Sequence, residues 1–204
     1  MVLTTFVSVV ALLTGVYTLY KNFIERAKVK IVPGDRMAVI RGPGGARRIH
    51  LRGALLNDAT KMGTLQHLEA KITNLTSPNE TVQTYSWSEF VELVPGTMNV
   101  QSGGPPLPIP IPGKDSRPLQ AQLELIEPNT PANWTAGRHR VEVFGWVNRE
   151  KRRDSPNATA LFHINIASEL ASDLRAGQPE YKYQDIPIEE WSRSGQSLPS
   201  RERR

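Results

Sequence analysis

Leu65–Leu93 reads LQHLEAKITNLTSPNETVQTYSWSEFVEL. Leu68, Ala70 and Ile72 fall on one side of this run, and Glu69, Lys71 and Thr73 on the other. A period of two is the pattern of a half-buried strand. Ser77-Pro78-Asn79-Glu80 then supplies turn chemistry, and Thr81–Leu93 forms a second run with Tyr85 and Trp87 on one face. The two runs read as successive strands joined by a turn.

The same pattern recurs outward from these two strands. Leu119, Ala121, Leu123 and Leu125 alternate with Gln120, Gln122 and Glu124. Arg138–Val147 puts Val141, Val143 and Val147 on one face, with Phe144 and Trp146 on the other. Ala160, Phe162, Ile164 and Ile166 align in a further run. Toward the N-terminus, Lys28–Val32 and Met37–Arg41 are short strands broken by Pro33-Gly34, followed by a glycine-rich basic turn into Ile49–Leu51. That turn lacks the Walker spacing of a phosphate-binding loop. Gly103–Gly113, GGPPLPIPIPG, is excluded from a central strand because proline donates no ladder hydrogen bond, so it is expected as an extended edge or crossover. With 15 glycines and 16 prolines in 204 residues, the composition favours strands joined by turns. The expected fold is mainly β: an antiparallel β-sandwich over residues 28–170.

Three segments sharpen that expectation. ITNLTSPNETVQTYSW, PIPIPGKDSRPLQAQLEL and WTAGRHRVEVFGWVN are together similar to immunoglobulin-like and fibronectin-III-like bacterial domains. The resemblance implies a fold and brings no catalytic residues with it. The chain has no cysteine, so the cysteine pair of antibody domains is absent.

Val2–Tyr20 carries no charged side chain, and Lys21, Glu25, Arg26, Lys28 and Lys30 follow it. Nineteen helical residues rise roughly 28 Å, close to the ~30 Å hydrocarbon core of a bilayer. Nothing basic precedes the apolar run, and no small-residue cleavage pattern follows it, so the segment reads as an uncleaved transmembrane helix rather than a secretory signal. The basic flank then predicts a single-pass protein of a bacterial inner membrane, N-terminus outside and the C-terminal domain cytoplasmic. Residues 1–27 are thus expected as helix and juxtamembrane segment. Thr4, Ser8, Ala11, Gly15 and Thr18 recur at steps of three and four and form a small-residue stripe for docking another helix. Tyr17, Tyr20, Lys21, Arg26 and Lys28 are expected at the membrane interface, the cations meeting anionic lipid headgroups.

Beyond the sandwich, SELASDLRAG predicts one short helix ending at Gly177. The rest of 171–204 reads as an extended polar tail. Tyr181, Tyr183, Ile186, Ile188 and Trp191 are spaced along it as apolar anchors for a partner, or for the chain's own domain.

Little in the sequence points to chemistry. His50, His67, His139 and His163 lie apart, in no H-x-x-x-H or H-E-x-x-H pattern, and no G-x-S-x-G elbow occurs. No catalytic, cofactor-binding or metal-ligating residues are predicted. The net charge of +5 comes from dispersed arginines and lysines, which fits membrane-surface contact better than nucleic acid. Asn74, Asn79, Asn133 and Asn157 each head an Asn-x-Thr triplet, readable as glycan acceptor or as turn chemistry. The expected function is a non-catalytic accessory subunit of a larger integral-membrane complex of respiratory, photosynthetic or transport type. Its partners would be other integral membrane proteins, held through helix and tail. The alternative is a membrane-anchored extracytoplasmic module that binds a ligand or surface.

Overall fold

The computed structural model describes residues 2–20, 26–42, 45–76, 82–93, 100–127, 132–149, 151, 154–176 and 181–191. Helix α1 (Val2–Leu19) comes first. The strands follow: β1 (Val29–Gly42), β2 (Gly45–Asn57), β3 (Gly63–Asn74), β4 (Val82–Leu93), β5 (Val100–Gly104), β6 (Ile109–Ile111), β7 (Ser116–Leu125), β8 (Gly137–Val147) and β9 (Ala158–Ile166). Helix α2 (Ser168–Arg175) and strand β10 (Lys182–Trp191) complete the described elements.

Eight strands close into a ring in the order β1-β2-β7-β4-β3-β8-β9-β10, every pairing antiparallel. The expected immunoglobulin-like sandwich is therefore corrected to a closed barrel. Strict alternation looks the same in both folds, because each hides every second residue. What separates them is whether the outer strands find partners. Here β3 pairs with β4 from Glu69↔Ser86 to Thr73↔Val82, and β10 fills the gap between β1 and β9. Closure leaves no open edge within the ring. The short strands β5 and β6 lie outside it, on β4 and β3. The proline-rich segment is thus an edge strand over its IPI step, as its missing donors require.

The segment expected as an extended tail is the eighth stave. Met37 pairs with Ile186 and Val39 with Gln184, and Ile188 and Trp191 meet Ile164 and Phe162 of β9. Ile186 is fully buried, and Ile188 packs on the core. The expected break at Pro33-Gly34 is likewise absorbed. β1 runs through it as one strand, and a bulge sets Pro33–Met37 against only Gly53–Leu51 of β2.

The interior is filled by side chains, as an eight-stranded barrel allows. Ile49, Leu55, Leu65, Leu68, Ile72, Tyr85, Leu123, Phe162 and Ile164 are all essentially buried. One small cavity, of about 10 Å³, lies among Ile31, Met37, Leu51, Leu119, Val143 and Phe162. The upper end is plugged by Trp134, whose indole Nε1 donates to the Ala46 carbonyl at 2.7 Å, and by Ala171 and Leu174 of α2. At the lower end, where the chain enters β1, Asn57 organises the crossing between β2 and β3. Its amide donates to the carbonyls of Lys61, Ile111 and Pro112, and its side-chain oxygen accepts from the N–H groups of Lys28 and Ala59.

Helix α1 requires a second correction. It covers Val2–Leu19, 18 residues with a rise of about 27 Å. Among the described residues, no helix is long and apolar enough to cross a membrane. The single-pass transmembrane anchor and the inner-membrane placement drawn from it are therefore not supported.

Candidate docking surfaces

Helix α1 differs from every other element in exposure. Its described large apolar side chains, from Phe6 to Leu19, are 47–67 % exposed. Two of its hydroxyls are turned inward along the helix. Thr14 Oγ1 donates to the Val10 carbonyl and Thr18 Oγ1 to the Thr14 carbonyl, each at 2.8 Å. This back-bonding hides hydroxyls from the surroundings. Ser8, Ala11, Gly15 and Thr18 share one exposed stripe with the backbone position of Thr4. The space where a Cβ would stand on Gly15 is open. Tyr17 and Tyr20 are exposed nearby; Lys21 lies outside the described residues, while Arg26 and Lys28 are exposed beside the lower end of the barrel.

The anchors expected in the tail are divided by the barrel wall. Ile186 and Ile188 face the barrel's own core. Tyr181 and Tyr183 stay outside, and Trp191 is placed by its backbone pairing with Phe162. Gly42 makes room for the Tyr181 ring, which sits 5.3 Å from the Arg48 guanidinium. Tyr183 belongs to a polar patch on the outer wall that sequence reading missed. Ala38 of β1 pairs with His50 on one side and Asp185 on the other. Arg52 Nη2 lies 3.5 Å from Asp185 Oδ1, and Arg48 Nε 3.6 Å from Glu124 Oε2. His50 is fully buried and neither ring nitrogen has a hydrogen-bond partner. Burial, reinforced by Arg52, pushes its pKa down to about 4, so it is neutral near pH 7. Burial, then the Glu89 charge, raises the pKa of Tyr183. The signal for this patch was present as the run Arg48-Ile49-His50-Leu51-Arg52, polar at every second position.

A second histidine comes close to a catalytic arrangement without forming one. His67 Nε2 lies 3.4 Å from Ser86 Oγ and 3.7 Å from Glu69 Oε1. A nucleophile relay needs the two imidazole nitrogens to serve different partners. Here one nitrogen faces both, and Glu69 is already paired with Lys151. The ring rests on Trp146, 5.4 Å away. Burial and Lys151 lower the His67 pKa. His139, near Trp134 at the upper end, is lowered by burial. Among the described residues, no three His, Asp or Glu side chains gather as a metal site.

Two of the Asn-x-Thr triplets serve the fold. Asn74 is buried, its amide donating to Thr135 Oγ1 and its oxygen accepting from the Thr76 N–H at 2.7 Å. Asn157 exchanges two hydrogen bonds with the Val147 backbone. Asn133 is exposed, and Asn79 lies outside the described residues. Set against known proteins, the chain matches no family model and no curated relative.

Proposed function

We propose that the chain is a non-catalytic accessory subunit, docked to a larger assembly through helix α1. The observation that carries this reading is the exposure of α1 on all its described sides. A soluble monomer rarely leaves so large a contiguous apolar surface uncovered. The occupant that fits is an apolar helix of a partner protein seated on the Ser8, Ala11, Gly15 and Thr18 stripe. Small side chains there allow two helix backbones to approach closely, and the back-bonded threonine hydroxyls make no demand on the partner. Integral membrane proteins present helices of this kind. The barrel supplies a rigid body behind the helix.

The test uses the full-length chain purified from its source in mild detergent. Wild type is expected to co-migrate with a stoichiometric partner on native gels. Gly15→Leu, which fills the open space at the stripe, is expected to release it while leaving barrel melting unchanged. Leu13→Ala, on another face of α1, should retain the partner. Migration of the wild-type chain as a lone monomer would sink the reading.

A further inference from the structure

Lysines distant in sequence meet at the lower end of the barrel, where the chain passes into β1. The crossing between β2 and β3, residues 58–62, is their meeting point. Lys30 Nζ lies 2.5 Å from Asp58 Oδ2, and Lys114 Nζ donates to the Asp58 carbonyl. The Asp58 N–H donates to the Lys28 carbonyl at 3.1 Å, and the Lys114 N–H to the Ala59 carbonyl at 2.8 Å. Lys61 belongs to the crossing itself, fixed by the Asn57 amide on its carbonyl at 2.7 Å. Asp115 is exposed next to Lys114, and Arg26 is exposed two residues before Lys28. The Asp58 carboxyl is held below its usual pKa by Lys30 first, with Lys114 and Lys28 adding to the effect. Among these cations Met62 stands 60 % exposed. The adjoining Gly63 packs against Ala27 and Val29, so the methionine sits where the chain enters the barrel.

We infer that this end of the barrel is a docking face for an anionic lipid surface, with Lys28, Lys30, Lys61 and Lys114 meeting headgroup phosphates and Met62 entering the apolar boundary. Charge complementarity carries the choice of partner: among the described residues, Lys28, Lys30 and Lys114 all stand around the Asp58 carboxylate. The exposed methionine favours lipid over a nucleic-acid backbone, which offers phosphate but no apolar layer. Attraction of exposed lysines to such a surface is worth about fivefold in affinity per residue and fades with added salt. This face is separate from the helix stripe and does not depend on the proposed partner helix.

The experiment is co-sedimentation of the full-length chain with phosphatidylcholine vesicles, and with vesicles containing about one third phosphatidylglycerol. Anionic vesicles are expected to bind it at least about tenfold more tightly at low salt, the difference shrinking as ionic strength rises. The triple substitution Lys28→Gln, Lys61→Gln, Lys114→Gln is expected to remove most of that preference, up to about a hundredfold, with barrel melting unchanged. Gly15→Leu should bind vesicles as wild type does, which separates this face from the partner stripe. Equal binding to neutral and anionic vesicles would assign the attachment to α1 alone and overturn the inference. So would a triple variant that binds like wild type, or duplex oligonucleotide displacing the chain from vesicles.

Discussion

Helix α1 and strand β10, one near each end of the chain, both carry spaced apolar residues and both read as attachments to something else. One of them is. In β10, Ile186 and Ile188 alternate with Asp185, Pro187 and Glu189, so the strand has an inner and an outer face. That polarity orients it, and it closes the barrel between β1 and β9. In α1 the apolar residues surround the axis, leaving no polar face to set against water while another packs on the barrel. A segment with two unlike faces can set one on its own core and the other in water; one that is alike all round has no such division to orient it.

The sharpest way to break this comparison is to truncate matching side chains in both segments. Ile186→Ala is expected to destabilise the barrel by about 2–5 kcal/mol, read as a shift in the denaturation midpoint, because it opens a cavity at the closing seam. A loss no larger than that of a surface substitution would mean β10 is not a stave.

The wall beside β10 adds a pH dependence. Unfolded, a histidine takes up a proton near pH 6.5; folded, His50 does so only near pH 4. The folded state therefore binds fewer protons between those values. The contribution is fully present above about pH 6.5 and is lost as pH falls toward 4, by up to about 3 kcal/mol. His50→Gln should flatten that part of the stability–pH curve. His67 and His139 are shifted in the same direction, so a residual slope will remain. An unaltered curve would mean that His50 is not held neutral by the fold.

At the lower end, Asn57→Ala leaves backbone groups of the crossing without partners and is expected to cost about 1–3 kcal/mol in chemical denaturation. The smallest effect belongs to α1. Leu12→Ala should change barrel stability by less than about 0.5 kcal/mol, since that side chain is 67 % exposed. A larger loss would show that the helix leans on the barrel after all.

Most strands were legible because a half-buried strand shows its period locally. β3, β4, β7, β8 and β9 follow the alternation of their residues, and α2 lies where its short helical pattern ends before Gly177. The polar wall patch was not legible. His50, Asp185 and Gln122 are distant in sequence and meet only through the registers Ala38↔Asp185, Ala38↔His50 and His50↔Gln122. The lysine cluster of the lower end is hidden in the same way, since Lys30, Lys61 and Lys114 come together only around one loop. The helix stripe could be read directly, because residues three and four apart share a face on any helix.

By itself, then, the sequence determined which residues are paired against water and which are not: the alternating runs, the proline-limited edge, the cysteine-free core and the uniformly apolar helix. Those are local properties, settled by the side chain and its near neighbours. Whether the runs formed two facing sheets or one closed ring was decided only in three dimensions. Closure rests on β3 finding β4 and β1 finding β10, pairings between strands whose inner faces look alike, so no local period distinguishes them. The same long-range pairings placed the buried histidine and gathered Lys30 and Lys114 around Asp58.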